Sequence, residues 1–413
     1  MAAPTFVVHI YLDGSLRAVT ADVRSIKIKV GRQRVLDSFT AGTCTLALNN
    51  DDNKYGPLTG GTYGDAQWIN AEIRVNVFLN SASQPTTIFR GRIDDTDVTY
   101  PDKNQSVMIV KASDGLSTLA RTELVDVIAG VSGKATFVEQ VGSARFTAIL
   151  DNAQVNYPDA SNPVDRAIDT SSVTMAAEVV ARLQTATYTA RLAQSEDGAI
   201  FCRQGLPGGA AAASTKRGNV LTYKARNAAS YATGLTFGGS STGASTPPMT
   251  AFQTSYGSEL LYTRGIYAGS TGVDQVYKEN VIGEPAYGIR AIVRRNLLNL
   301  NNPDVLKACK NFVALHSTPA LRIISLDCKP RSMTEAQAEK VAKLGIFDGL
   351  EALFTPAGST DPQRRRLRIE GVRHDITPND WSMRLTTSGT GENTFLILDS
   401  ALEGHLDANK LAP

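Results

Sequence analysis

The sequence is short of the residues from which most metal and nucleophile sites are built. Its 413 residues hold four cysteines, four histidines and two tryptophans. Cys44, Cys202, Cys309 and Cys328 form no C-x-x-C pair, which excludes a zinc ribbon or redox motif and reads as small buried hydrophobes in a reduced compartment. His9, His316, His374 and His405 make no H-E-x-x-H pair, so no helix offers two imidazoles to one metal. No run approaches the roughly 18 uncharged apolar residues of a membrane-spanning helix. The start, MAAPTFVVHIYLDGS, lacks the basic beginning and apolar middle of a secretory signal. The expectation is a chain made in the cytoplasm, with no stable membrane insertion. An excess of one charge is missing too: 42 Lys and Arg against 40 Asp and Glu leave +2, which excludes a global field for nucleic acid or anionic lipid.

What is present suits folded cores. Hydrophobic residues make up 42% of the chain, and its length suggests roughly two to four domains. The first part reads as β structure. "SIKIKV" (25–30) alternates strictly, "TCTLAL" (43–48) follows, and "AEIRVNVFL" (71–79) turns Ile73, Val75, Val77 and Leu79 to one face. "TIFRGRIDDTDVTY" and "QSVMIVKASDG" add strands between short Gly, Pro, Asn and Asp punctuations, a spacing that favours barrels or sandwiches.

Beyond residue 112 the texture changes. A helical spacing of Ala176, Val179, Val180 and Leu183 marks 163–194, "EDGAIFCRQG" and "GNVLTYKAR" read as a hairpin, and 226–250 as a Ser/Thr/Gly/Ala-rich loop. Further on, "NNPDVLKACKNFVALHS" predicts a helix with Asn302 as cap, Pro303 in its first turn, and Val305, Leu306, Cys309, Phe312 and Val313 on one face. "ALRIISLDCKP" predicts a strand, and "TEAQAEKVAKLG" a helix opened by a Thr334–Gln337 capping box. "RRLRIEGVRHDI" and "WSMRLTTS" return to strands.

Each stretch that hints at chemistry fails a test of spacing or setting. A calcium loop starting at Asp51 would place Tyr55 at the fifth position and Thr62 at the twelfth, where oxygen ligands are required; only Gly56 fits. Asn50–Asn53 is therefore read as a turn. "GGSSTG" (238–243) offers Ser241 as a nucleophile but in a loop without a neighbouring base. "GVSGKAT" (130–136) has Ile128 where a P-loop needs its first glycine, and Ala135 where it needs Ser or Thr. Asp94, Asp95 and Asp97 read as an acidic strand end in solvent. Arg364, Arg365, Arg366 and Arg368 either meet phosphates or sit in ion pairs; without interleaved aromatics the second is preferred. His374 and Asp375, adjacent in a strand, point to opposite faces. No catalytic, cofactor-binding or metal residue is assigned, and the chain is read as non-enzymatic.

The stretch GRQRVLDSFTAGTCTLALNNDDNKYGP carries a more specific pattern. Gly31, Arg32, Leu36, Asp37, Phe39, Ala41, Gly42, Thr43, Thr45, Leu48, Asn50, Tyr55 and Pro57 occupy the places of a GR-x-x-L-D-x-F segment leading into AGT-x-T-x-x-L-x-N. In the same order follow "IFRGRIDD", "VKASDGLSTLA", "RFTAILDNAQV" with "RAIDTSSVTM", "LAQSEDGAIFCRQG" with "NVLTYKAR", "RIEGVRHDITPNDWSMRLTTS" and "FLILDSALEGHLDANKLA". This colinear series resembles the minor tail proteins of long-tailed bacteriophages, the tail-tip or baseplate hub class. Residues 256–300 and 331–360 carry little of it.

The resemblance implies an α+β, β-rich, multi-domain chain with small antiparallel β-barrels and a mixed α/β middle. Its expected divisions are 1–118 (an N-terminal barrel), 119–255 (mixed), 256–388 (mixed, closing in a second barrel) and 389–413 (an extension). It implies a homotrimeric virion protein at the tail tip, assembled in the host cytoplasm. Its partners would be a distal-tail or tube-end ring protein, the tape-measure protein and downstream tip or fibre proteins, with transient DNA passage through a lumen. No cofactor is implied. Trp381 and His374 would be packing residues. The extension, apolar at "FLIL" but too short for its own core, is expected to reach a neighbour. A tail-borne cell-wall hydrolase and a carbohydrate- or receptor-binding tail protein are the alternatives. The first needs paired carboxylates in a pocket, and the second exposed aromatic platforms, for which Trp68 and Trp381 offer little.

Overall fold

The computed structural model describes residues 5–34, 40–56, 60–79, 85–102, 105–114, 117, 123–124, 174–175, 190–194, 200–204, 222–225, 235–238, 246–269, 273–280, 282–297, 302–319, 321–346, 348–360 and 362–389. Seven strands come first: β1 (Thr5–Leu12), β2 (Ser15–Ala18), β3 (Val23–Gly31), β4 (Thr43–Asn49), β5 (Glu72–Phe78), β6 (Thr86–Asp102) and β7 (Gln105–Ser113). Short strands β8 (Glu123–Leu124) and β9 (Thr174–Met175) pair with each other, and β10 (Ala190–Gln194), β11 (Ile200–Gln204) and β12 (Thr222–Ala225) form a separate sheet. Then come β13 (Leu235–Gly238), β14 (Ala251–Ser255), β15 (Arg264–Gly269), β16 (Asp274–Lys278), helix α1 (Gly283–Tyr287), β17 (Ala291–Leu297) and helix α2 (Asn302–His316). The last elements are β18 (Arg322–Cys328), α3 (Glu335–Ala342), β19 (Gly349–Phe354), β20 (Gln363–Ile376) and β21 (Trp381–Gly389).

Period-two alternation does what it predicts. Ile26, Ile28 and Val30 on β3, Cys44, Leu46 and Leu48 on β4, and Ile73, Val75 and Val77 on β5 are all buried. They share one core with Val372, Ile376, Trp381, Met383 and Leu385 from the far end of the chain. The reason is the pairing of β3 with β20, which fuses early and late strands into a 13-stranded sheet ordered β14-β18-β21-β20-β3-β4-β7-β6-β5-β1-β2, with β19 on β20 and β13 on β19. All of its strand pairs are antiparallel except β13–β19. Among the described residues no strand pairing closes it into a barrel. It does curl: the Phe6 ring of β1 meets the Trp381 ring of β21 edge-on at 5.1 Å between centroids, although six strands separate them in the sheet order.

The helices form where their signals lie. The Thr334 capping box is made in both directions, with Gln337 N–H donating to Thr334 Oγ1 (3.3 Å) and Thr334 N–H to Gln337 Oε1 (3.0 Å). On α2, Val305, Cys309 and Val313 are fully buried, at the i, i+4, i+8 spacing of one face. The helical stretch around Ala176–Leu183 lies outside the described residues.

One expectation is corrected. β11 and β12 run parallel, and the antiparallel partner of β11 is β10. The connection from 204 to 222 is long enough for a parallel crossover, which needs about a dozen residues, whereas a hairpin closes over a tight turn. Length, more than the strand-like composition of each segment, should have decided it.

Residues 256–321 make an excursion off the sheet edge. β14 and β18 pair with Ser255 opposite Arg322, so the excursion begins and ends at one place. Inside it β15 lies between β16 (antiparallel) and β17 (parallel). Helix α2 packs on one face through Tyr267, Ile292, Val305 and Cys309, a core separate from that of the main sheet. Gly265 permits the close approach, since a Cβ there would overlap Cys309 Sγ.

Candidate functional site

The junction of β3 and β20 is densely built. Gly31 and Gly371 face each other across it. A Cβ on Gly371 would lie 2.6 Å from Arg32 O, and one on Gly31 would overlap Glu370 O. Gly31 also takes φ +89°, a left-handed value that favours glycine. The register of β20 against β21 shifts between Ile369 and Gly371, a bulge that turns Glu370 inward. There its carboxylate is fully buried. Arg32 donates to Oε2 through Nε (2.9 Å), and its Nη2 stands 2.7 Å from the same oxygen as an ion pair. Arg368 donates to Oε1 through Nε (3.0 Å) and Nη2 (2.9 Å), and Ser388 Oγ adds 2.6 Å. Two guanidinium groups and a hydroxyl on two oxygens use most of the acceptor capacity of a carboxylate. Such a group ties strands together and is held ionised by its two arginines.

The outer face of the same sheet is polar across adjacent strands. One row runs Asp327 (β18), Arg384 (β21), Arg373 (β20), Lys29 (β3), Thr43 (β4). The next runs Ser382, Asp375, Lys27, Thr45, Lys111 and Asp95, from β21 to β6. Like charges directly opposite destabilise a sheet, and carboxylates offset them here. Arg384 grips Asp327 with both nitrogens (2.6 and 2.8 Å), and Arg373 grips Asp375 (2.8 and 3.2 Å). Lys111 bridges Asp95 (3.0 Å) and Asp97 (2.6 Å). Its hydrogen bond holds the Asp95 carboxyl below the usual range, while Asp97 first and Asp95 second raise the Lys111 ammonium. Asp95 and Asp97 are exposed to solvent, as read from the sequence, but they lie in the middle of β6 and not at a strand end, because the ladder with β7 runs on past them to Asp102.

The Asn/Asp knot is a turn held by its own side chains. Buried Asn50 accepts Tyr55 N–H at its Oδ1 (2.7 Å) and donates to Ser106 Oγ (2.9 Å). Asp51 Oδ1 accepts Ser106 N–H (2.9 Å), and Asp52 Oδ1 accepts Lys54 N–H (3.2 Å). Asn53 takes φ +55°, which Asn tolerates. The oxygens a cation would need are pointed at backbone N–H groups. Val35–Phe39 and Pro57, also in this stretch, lie outside the described residues, as do Ser241 and 130–136.

Three arginines of the run reach carboxylates. Arg364 (3.8 Å) and Arg366 (3.3 Å) reach Glu351 on β19, and Arg368 reaches Glu370. His374 is buried between strands and accepts Trp381 Nε1–H at Nδ1 (3.3 Å). The proton of the neutral ring is thereby placed on Nε2, which has no hydrogen-bond partner. Burial pushes the imidazole down to about 4. Both His374 and Trp381 are packing residues.

A cavity of about 170 Å³ lies beside Asn70, Arg92, Asp94, Ser113, Asp114 and Ser117. It brings two carboxylates to one place, in a volume below the roughly 300–1,000 Å³ of ligand sites. Among the described residues no group of three or more His, Cys, Asp or Glu is placed to hold a metal, and no helix is long and apolar enough to cross a membrane. Sequence reading missed the Glu370 cluster. Its signal was a change of phase in "LRIEGVRHDI", where apolar positions fall on 367 and 369 and then on 372 and 376.

No family model and no curated protein matches the chain. Solved structures do. The tail protein from Neisseria meningitidis MC58 superposes with a TM-score of 0.53 at 10% identity, over 93% of this chain and 96% of that one. The 43 kDa tail protein of prophage MuSo2 from Shewanella oneidensis gives 0.48 at 11%, over 93% and 98%. The prophage tail protein gp18 from Listeria monocytogenes EGD-e gives 0.45 at 9%, over 92% and 94%. The likeness to the Neisseria protein, at 0.53, extends over nearly the whole of both chains and shows a shared fold: this chain is built on the fold of a tail protein.

Proposed function

We propose that the chain is a structural virion protein, the hub at the tail tip of a tailed phage. In this reading it is a homotrimer that joins the end of the tail tube, through a distal-tail or tube-end ring protein, to downstream tip or fibre proteins. The tape-measure protein ends against it, and DNA passes through its lumen on release. It works by assembly, without catalytic residue, metal or cofactor. In this reading the chain carries two small barrels, one centred on 1–118 and one completed by 256–388, with 389–413 as an extension.

The observation that carries the reading is the two-sidedness of the sheet. One face holds the core; the other shows Lys27, Lys29, Thr43, Thr45, Lys111, Arg373 and Arg384 in continuous rows. A wall that lines water and lets a polyanion slide needs a wetted surface of mixed charge that does not grip, and binding by phosphate contact grows with each uncompensated cation. Here most of the cations carry a carboxylate partner. The shared fold with a tail protein supports the same reading.

The test is where the protein sits in particles. Gold-labelled antibody against the chain, viewed by electron microscopy on purified tails, is expected at the end distal to the head. Label spread along the tube, or absent from intact tails, would contradict the proposal.

A further inference from the structure

Among the described residues nothing covers one sheet face of the excursion 256–321. Gly265, Tyr267, Tyr277 and Ile292 turn toward α2. Alternation turns Ile266, Val276 and Val293 the other way, and these three are direct cross-strand partners in one row. Val276 is 49% and Val293 52% exposed. Charges border the row. Arg295 of β17 reaches over the central strand to Asp274 of β16 (2.9 and 3.2 Å), and Arg264 binds Glu284 (2.7 Å). With exposed Lys278, opposite Arg264, the face carries three cations against two carboxylates.

The described chain stops beside this module. Thr386 pairs with Ser325, and Thr387 Oγ1 donates to Ile323 O (2.7 Å). Continuing the ladder sets Gly389 against Arg322, which is the foot of the excursion. The remaining residues, 390–413, start there. Their sequence places Phe395, Leu398, Leu402 and Leu406 at spacings of three and four, which is the stripe of an amphipathic helix. Glu392, Asp399, Glu403 and Asp407 against Lys410 leave −3, complementary to the basic rim. Reach is ample: about 36 Å as a helix and about 80 Å extended. Ser255 to Ile266 spans at most about 36 Å of chain.

We infer that residues 390–413 dock their Phe395–Leu406 stripe on the Val276–Ile266–Val293 face of their own chain. The three-stranded sheet then has cover on both faces, from α2 and from the extension. Because this docking lies within one subunit, it holds whether or not the protein is a tail hub.

The test places the photo-crosslinker p-benzoylphenylalanine at Leu398 of the full chain and maps products by mass spectrometry, using mixed light- and heavy-isotope protein. The expected result is crosslinks to 264–297 within the same chain. Val293→Asp, at an exposed position whose change spares the fold, is expected to lower their yield about tenfold. Three results would overturn the inference: crosslinks joining light to heavy chains, crosslinks elsewhere in the molecule, or an unchanged yield in V293D.

Discussion

Arg32 and Glu370, 338 positions apart in the sequence, form a buried pair with Nη2 to Oε2 at 2.7 Å. The contact sits where the first strands of the chain and the last become one sheet. Neither half can be called finished without the other, because strands β20 and β21 supply part of the core over which β3 and β4 lie.

Removing the shared carboxylate should therefore weaken both halves together. Glu370→Gln keeps the shape but leaves Arg32 and Arg368 without their anion. Breaking a buried pair from one side costs about 3–5 kcal/mol. Denaturant unfolding followed by fluorescence of the buried Trp381 is expected to show a loss of that size. A change below about 1 kcal/mol would mean that the charges are solvated in solution.

Gly31→Ala probes the same junction through the backbone. The new Cβ meets Glu370 O, and φ +89° is strained for alanine. Strain of this kind costs about 1–3 kcal/mol before the overlap is counted. The expected outcome is a lowered midpoint in the same titration, larger than for Gly358→Ala, where φ is also positive but nothing lies within 4 Å.

How much of this could be read from the sequence follows from what alternation encodes. The inward faces of "SIKIKV", "TCTLAL" and "AEIRVNVFL" were legible because period two fixes a face. Strand partners were not, because the same pattern fits any neighbour whose face matches. The β3–β20 pair, bridging nearly the whole chain, lies beyond any local signal. The turn at Asn50–Asn53 was legible because Asn and Asp act on nearby backbone. In the sequence Glu370 is one more charge in an arginine-rich strand, and the bulge reverses its direction.

The buried histidine predicts a pH dependence. In the folded state His374 titrates at about 4, and its ordinary value is 6.5. Above pH 6.5 both states are neutral and the group has no effect. As pH falls from 6.5 toward 4 the unfolded chain takes up a proton that the folded chain refuses, so stability declines, by about 3 kcal/mol in all. Below 4 this loss levels off. Stability measured against pH should show that decline in the wild type and a much flatter curve between 6.5 and 4.5 in His374→Asn, whose amide oxygen can still accept from Trp381.

The turn after β4 makes a prediction about ions. Asn50→Ala removes the acceptor of the buried Tyr55 N–H, and an unsatisfied buried donor costs about 1–3 kcal/mol. Millimolar calcium, in contrast, should leave the melting temperature of the wild type unchanged, and chelator should do the same. A rise with calcium would show that the Asp51 and Asp52 oxygens leave their backbone partners for a cation.

The central claim, a hub that works by assembly, is tested most directly by solution mass. Light scattering on the purified protein, alone and mixed with its tube-end ring partner, is predicted to give three times the 44.1 kDa chain mass, either alone or on the ring. A particle that remains a single chain under both conditions and never joins the ring would contradict the account.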